Sequence, residues 1–119
     1  MTGTRYSFRV GEPPIAKARP RVSGAGKVYT PTRTRKYENA VAMAAMAAGV
    51  KLQEGRAYVV DIELSKSDAI VHIMDVGELT NTMRGDVDNY CKSILDGIGA
   101  LPGWDDGQVV EVKAIKEWR

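Results

Sequence analysis

The chain has one cysteine, Cys91, one histidine, His72, and one phenylalanine, Phe8, among its 119 residues. A lone cysteine excludes an intrachain disulfide framework, and with a single histidine it excludes Cys/His zinc sites too. The same scarcity removes HExxH metalloproteases and bis-histidine metal sites, because each needs two imidazoles. No apolar run approaches the roughly 18 residues that a membrane span requires. No apolar leader segment follows Met1-Thr2-Gly3-Thr4-Arg5. These absences lead to the expectation of a reduced, soluble, cytoplasmic protein with no membrane partner. What is present is ordinary globular composition, 44% hydrophobic and 27% charged. A chain of this size buries about two-thirds of its unfolded surface on folding, and a single domain over residues 1–119 is expected.

The net charge of +2 hides an asymmetry. Residues 1–36 hold nine Lys/Arg against the single acid Glu12, a net of +8, whereas the remainder holds eight against fourteen acids, a net of −6. A basic arm on an acidic body suits a protein that grips a polyanion with one part and does carboxylate chemistry with another. A solvated basic surface balancing the acids fits the charge count equally well.

Tyr6, Phe8 and Val10 alternate with Arg5, Ser7 and Arg9, the period of a half-buried strand. Gly11 to Pro31 reads as one long connection broken by Pro13-Pro14, Pro20, Gly24, Gly26 and Pro31. A helix is expected from about Arg33 to Ala48. Thr32 or Thr34 would cap it, Tyr37, Val41, Ala44, Ala45 and Ala48 would form its apolar stripe, and Gly49 would end it. Residues 57–64 alternate as a second strand, with Tyr58, Val60, Ile62 and Leu64 on one face. After a Ser65-Lys66-Ser67-Asp68 turn, a third strand spans Ile70 to Met74 or slightly further, and 76–85 reads as loop. A second helix fits 87–98, with Cys91, Ile94, Leu95 and Ile98 as its buried stripe. Val109 to Ile115 reads as a last strand. The order β-loop-α-β-β-α-β predicts an α/β (α+β) domain, a mixed sheet with two helices packed on it.

The stretch Gly85-Asp86-Val87-Asp88-Asn89-Tyr90-Cys91-Lys92-Ser93-Ile94-Leu95-Asp96 carries the chemistry. Asp86 and Asp88 stand at the start of the second helix, and Asp88, Lys92 and Asp96 share one of its faces at i, i+4 and i+8. A further acidic pair, Asp105-Asp106, follows on the loop before the expected last strand. Carboxylates converging on one place repel each other unless a cation lies between them. All-oxygen donors without His or Cys favour Mg²⁺ or Mn²⁺ over zinc. Each feature also has an ordinary reading: a helix cap, an i,i+4 ion pair, and acidic turn composition. Capping accounts for only one of Asp86 and Asp88, and says nothing of Asp105-Asp106.

In the basic arm, Lys17-Ala18-Arg19-Pro20-Arg21 and Arg33-Thr34-Arg35-Lys36 flank a loop containing Lys27 and Tyr29. Cations in the first turn of a helix oppose its dipole. Arg33, Arg35 and Lys36 are explicable there if a phosphate binds, because a helix N-terminus is itself an anion site. Lys17, Arg19, Arg21, Lys27, Arg33, Arg35 and Lys36 are therefore the candidate residues for binding a nucleic-acid backbone. No zinc finger, RNP motif or helix-turn-helix is evident.

Asp86-Val87-Asp88-Asn89, then Lys92, Asp96 and Trp104-Asp105-Asp106-Gly107-Gln108-Val109-Val110, resembles the RusA-type Holliday junction resolvases. Lys17-Ala18-Arg19-Pro20-Arg21, Tyr29-Thr30-Pro31 and Thr34-Arg35-Lys36-Tyr37 are similar to the same family, in the same order. The combination of DxDNxxK with a DDxQV block is specific, and the likeness covers nearly the whole chain. It implies a homodimeric, Mg²⁺-dependent endonuclease that nicks four-way DNA junctions symmetrically, with Mn²⁺ as a possible substitute and no nucleotide cofactor. It also implies a bacterial or phage origin. Carried over by position, Asp86, Asp88 and Asp106 would be catalytic and metal-binding, Lys92 would be the catalytic lysine, and Asp96 and Asp105 would be supporting candidates.

Two rival readings remain open from the residues. One is a restriction-like nuclease that uses Glu111-Val112-Lys113 as an ExK element with Asp105 or Asp106 upstream. Here the five or six residues between them leave little room for the usual turn. The other is a junction- or ssDNA-binding module without catalysis. His72 reads as a sheet-surface or satisfied core residue, Cys91 as a small buried hydrophobe, and Met43 and Met46 as packing or a subunit contact. Trp104 reads either as a loop anchor or as a surface that stacks on DNA.

Overall fold

The computed structural model describes residues 3–17, 21–29 and 31–119, and of Arg21 only the backbone. Its elements in order are β1 (Arg5–Val10), β2 (Arg21–Val22), β3 (Val28–Tyr29), α1 (Thr32–Ala47), β4 (Arg56–Leu64), β5 (Ala69–Glu78) and α2 (Val87–Ile98). A short 3-10 turn follows at Asp106–Gln108. The α+β class expected from the sequence is the class observed. The chain forms two compact units, one ending at Gly77 and the other running from Glu78 to Arg119.

The first unit is built on a three-stranded sheet in the order β1-β5-β4. β1 pairs antiparallel with β5, setting Tyr6 against Ile73, Phe8 against Val71 and Val10 against Ala69. The alternation in β1 is the expected one: Tyr6, Phe8 and Val10 turn inward while Arg5, Ser7 and Arg9 stay exposed. Cross-strand pairs of this kind stabilise a sheet by up to about 1 kcal/mol each. On the outer face, Ser7 Oγ and His72 Nδ1 share a hydrogen bond of 2.6 Å, so His72 is a satisfied sheet residue. Arg9 Nε donates to Asp68 Oδ2, in the turn just before β5, at 2.7 Å.

β5 is central and runs four residues past Met74, so the expected loop begins only after Glu78. β4 lies at the sheet edge. From Val59 onward both of its faces are exposed, Val60, Ile62 and Leu64 included. The strand forms where expected, but of the apolar face read for it only Tyr58 is half-buried. Its buried end carries Ala57 and, half-buried, Arg56, whose guanidinium donates to Asp75 Oδ1 at 2.8 Å and Oδ2 at 3.0 Å.

α1 lies against β1. Its inner side is Thr34, buried, with Tyr37, Val41, Ala44 and Ala45 half-buried. Pro31, not a threonine, holds the N-cap position, and no side chain caps the helix. Thr34 cannot act as the cap because it faces the core at 3% exposure. At the other end Gly49 takes φ +75° and donates its N–H to Met46 O, the turn expected of it. Ala48 is exposed, and so are Met43 and Met46, which therefore take no part in the core. The long connection before α1 is not uniformly irregular: β2 and β3 pair antiparallel, Val22 with Val28. Ser23 Oγ accepts from the N–H groups of Ala25 and Lys27 and closes this hairpin.

The second unit holds α2 and the C-terminal segment. The strand expected over Val109 to Ile115 does not form, and the only regular structure after α2 among the described residues is the 3-10 turn. Alternating valines are not enough to make a strand, which needs a ladder partner. Val110 is 96% exposed and Ile115 89% exposed, with no such partner among the described residues. The chain end instead meets the segment before α2 through Thr80 N–H to Trp118 O at 2.8 Å and Met83 N–H to Glu117 O at 3.3 Å.

Candidate active site

Asp86 occupies the N-cap position of α2 in extended conformation (φ −89°, ψ 145°). Its carbonyl accepts from Asn89 N–H at 3.1 Å and Tyr90 N–H at 3.2 Å, but its carboxylate makes no capping bond. The capping explanation for this aspartate therefore fails. Asp88 stands in the first turn, and Lys92 and Asp96 follow along the same exposed face. Among the described residues, Asp86, Asp88, Lys92 and Asp96 make no side-chain hydrogen bond or ion pair, so the routine Asp88–Lys92 pair does not form either. Of the stripe expected to be buried, Cys91, Leu95 and Ile98 are half-buried, and Ile94 is instead 66% exposed.

The second acidic pair is held differently. Asp105 caps the 3-10 turn, accepting from Gly107 N–H at 3.1 Å, while Gln108 Oε1 accepts from Asp105 N–H at 3.0 Å. This reciprocal arrangement is a capping box. Asp106 Oδ1 accepts the indole N–H of Trp104 at 2.7 Å. The indole rests over the C-terminal end of α2, where a Cβ added at Gly99 would lie 3.5 Å from Trp104 Cδ1. Trp104 is thus a loop anchor whose polar edge holds Asp106.

The two acidic groups therefore sit at opposite ends of α2. A twelve-residue helix is roughly 18 Å long at about 1.5 Å per residue. Among the described residues no three carboxylate, His or Cys groups lie close enough to hold one ion. The all-oxygen donor set suits a hard divalent cation, but Asp106 is not brought beside Asp86 and Asp88.

Of the basic arm, Lys17 is spent on an exposed ion pair with Glu38 at 2.6 Å. Arg19 and the side chain of Arg21 lie outside the described residues. Lys27 is exposed on the hairpin turn, and Arg33, Arg35 and Lys36 are exposed at the start of α1. That helix start has no acidic residue in its first turn and no capping side chain. Its N–H groups and three cations form an uncompensated positive end. The polar cleft lined by Thr4, Tyr6, Lys51, Gln53, Tyr58 and Asp75 contains none of the candidate site residues. Glu111 and Lys113, the rival nuclease element, are exposed, 3.7 Å apart, and outside any strand.

The segment leading into Asp86 holds two residues that sequence reasoning passed over. Tyr90 OH donates to Arg84 O, and Lys116 Nζ donates to Met83 O at 3.2 Å and Gly85 O at 2.8 Å. Tyr90 had a local signal, four residues after Asp86 on the same helical turn. Lys116 had none, because only the fold brings it to this loop.

The model of the endodeoxyribonuclease RusA family matches residues 12–119. The chain belongs to that family. The match spans the basic arm, α2 and the Asp105-Asp106 turn, and it makes the chain an endodeoxyribonuclease of the RusA type, a hydrolase of DNA phosphodiesters that acts on Holliday junctions. A curated relative described as uncharacterized protein YqaN of Bacillus subtilis (strain 168) is 31% identical over 120 residues, covering 92% of this chain and 84% of the relative. No solved structure matches. Among the described residues no helix is long and apolar enough to cross a membrane.

Proposed function

We propose that this RusA-family chain is a Mg²⁺-dependent resolvase that acts as a homodimer and cuts four-way DNA junctions by paired, symmetric nicks. The observation that carries the reading is the state of three side chains on the N-terminal half of α2. Asp86, Asp88 and Lys92 are charged, exposed and unpaired among the described residues, while the chain around them is tied down by Tyr90 and Lys116. Carboxylates that are not committed to capping their own helix are free to hold a cation.

Asp86 and Asp88 would hold Mg²⁺, or Mn²⁺ in its place, with Asp96 further along the same helix face in support. Asp106 and Asp105, which the family resemblance adds to the set, lie at the other end of α2 and are not beside them. Bound by Asp86 and Asp88, the ion would supply positive charge to the scissile phosphate and acidify the attacking water. Lys92, two helical positions beyond Tyr90 on the exposed face, would place its ammonium where negative charge accumulates on the phosphate in the transition state. Lys27, Arg33, Arg35 and Lys36, with Lys17, Arg19 and Arg21, would hold the DNA backbone, reinforced by the open N-terminus of α1. A four-way junction has approximate two-fold symmetry. A C2 pair of chains would present one site to each of two opposed strands.

Metal dependence is tested on a synthetic four-way junction with purified protein. The reading expects cleavage in Mg²⁺, its loss in EDTA, and recovery when Mg²⁺ is added back. Cleavage that persists in EDTA would overturn the metal assignment.

A further inference from the structure

Three consecutive carbonyls immediately before Asp86 are taken by two side chains. Lys116 Nζ donates to Met83 O at 3.2 Å and to Gly85 O at 2.8 Å, and Tyr90 OH donates to Arg84 O between them. Gly85 has φ +87°, a conformation suited to glycine, and a Cβ there would meet the Tyr90 ring at 3.4 Å. The same loop is held from its other side by Glu117 O, which accepts from Met83 N–H at 3.3 Å and from Thr82 Oγ1 at 3.1 Å.

An exposed loop can satisfy its carbonyls with water, so hydrogen bonding alone does not call for a lysine and a tyrosine here. Lys116 is half-buried and forms no ion pair with a carboxylate among the described residues. Its ammonium is committed to backbone oxygens. The consequence falls on Asp86. Its own carboxylate makes no bond to the helix start, so the position from which its side chain projects is set by the backbone that enters it, and that backbone is what Lys116 and Tyr90 fix.

We propose that Lys116 and Tyr90 are positioning residues for Asp86, acting through the carbonyls of Met83, Arg84 and Gly85. The proposal rests on the reading of Asp86 as a reacting-site carboxylate. Neither side chain is assigned a contact with DNA or cation. Their effect is on the placement of a carboxylate, where an error of about 1 Å can cost roughly a hundredfold in rate.

The test uses Lys116→Met, Lys116→Arg and Tyr90→Phe in the full chain, with wild type and the exposed Lys113→Met in parallel. Single-turnover cleavage of a four-way junction is expected to fall by about tenfold or more in Lys116→Met and Tyr90→Phe, with junction affinity in EDTA within about twofold of wild type. Lys116→Arg, which keeps the charge and donors, should recover most of the rate, and Lys113→Met should cleave normally. Normal cleavage by both Lys116→Met and Tyr90→Phe would overturn the proposal, as would parallel losses of rate, affinity and thermal midpoint. Tyr90→Phe removes a single hydroxyl, which guards against a Lys116→Met chain that does not fold. Amide hydrogen exchange separates this proposal from the functional one. If wild type cuts no junction, the resolvase reading fails, yet faster exchange at residues 85–87 in Tyr90→Phe still supports the positioning, and unchanged exchange there overturns it.

Discussion

The indole N–H of Trp104 donates to Asp106 Oδ1 at 2.7 Å, and the ring itself is seated beside Gly99 at the end of α2. One tryptophan thereby fixes both the loop and the carboxylate that the loop carries. Trp104→Phe keeps the aromatic anchor and removes the donor. Hydrogen bonds to charged groups contribute about 1.5–3 kcal/mol, so a rate loss of up to about a hundredfold is the ceiling. A loss of about three- to tenfold in single-turnover cleavage, with junction affinity unchanged, is expected. A Trp104→Phe chain that binds the junction poorly would instead mark the indole as a DNA contact.

Asp88 stands exposed, and unpaired among the described residues, in the first turn of α2. Asp88→Asn retains the shape and removes the charge, so it should bind a four-way junction in EDTA like wild type and nick it at least about a hundredfold more slowly. Glu111→Gln should cleave normally, since among the described residues Glu111 pairs only with the exposed Lys113. Normal cleavage by Asp88→Asn together with its loss in Glu111→Gln would transfer the chemistry to the ExK element.

Salt dependence separates the members of the basic arm. Deleting one cation that neutralises a phosphate should flatten the slope of log affinity against log salt by about 0.9. Arg33→Ala and Arg35→Ala remove exposed cations, unpaired among the described residues, at the start of α1 and should each show that change. Lys17→Ala should show less, because Lys17 already faces Glu38 at 2.6 Å. Equal slopes for wild type and Arg35→Ala would remove the helix start from the DNA-binding surface.

Two carboxylates make the first unit acid-sensitive. Arg56 hydrogen bonds hold Asp75 below the usual carboxylate range, helped by Gly77 N–H and opposed by burial. Asp68 is lowered first by the Ser65 hydroxyl and then by Arg9. A carboxyl whose folded pKa lies below its unfolded value of about 3.9 binds more protons when the chain unfolds, so stability rises with pH between the two values. The stabilisation is complete above about pH 5 and is lost as the pH falls through the folded values. Thermal midpoints measured from about pH 6 down to pH 2 should decline below about pH 4, less steeply in Asp68→Asn. A wild-type midpoint independent of pH across that range would contradict the assignment.

The local pattern was legible where a residue's neighbours in sequence are also its neighbours in space. The alternation of Tyr6, Phe8 and Val10 gave the correct inward face of β1, and the apolar spacing of Cys91, Ile94, Leu95 and Ile98 placed α2 over 87–98, although Ile94 itself is exposed. What failed depended on tertiary partners. Val110, Val112 and Ile115 carry strand composition but have no ladder to join among the described residues. Thr34 has the chemistry of a cap but is drawn into the core by the packing of α1 on β1. For the same reason the acidic motifs were readable one by one while their separation along α2 was not. Asp86, Asp88 and Lys92 are placed by a single helix, whereas Asp106 is placed by Trp104 at its far end.

The most direct measurement is to map nicks on a synthetic mobile four-way junction and a matched linear duplex, each strand end-labelled in turn, in Mg²⁺ and in EDTA. Paired nicks at symmetric positions on opposed strands of the junction alone, and only with Mg²⁺, are the predicted result. Junction binding without nicks in Mg²⁺ or Mn²⁺, or equal cutting of the linear duplex, would contradict it.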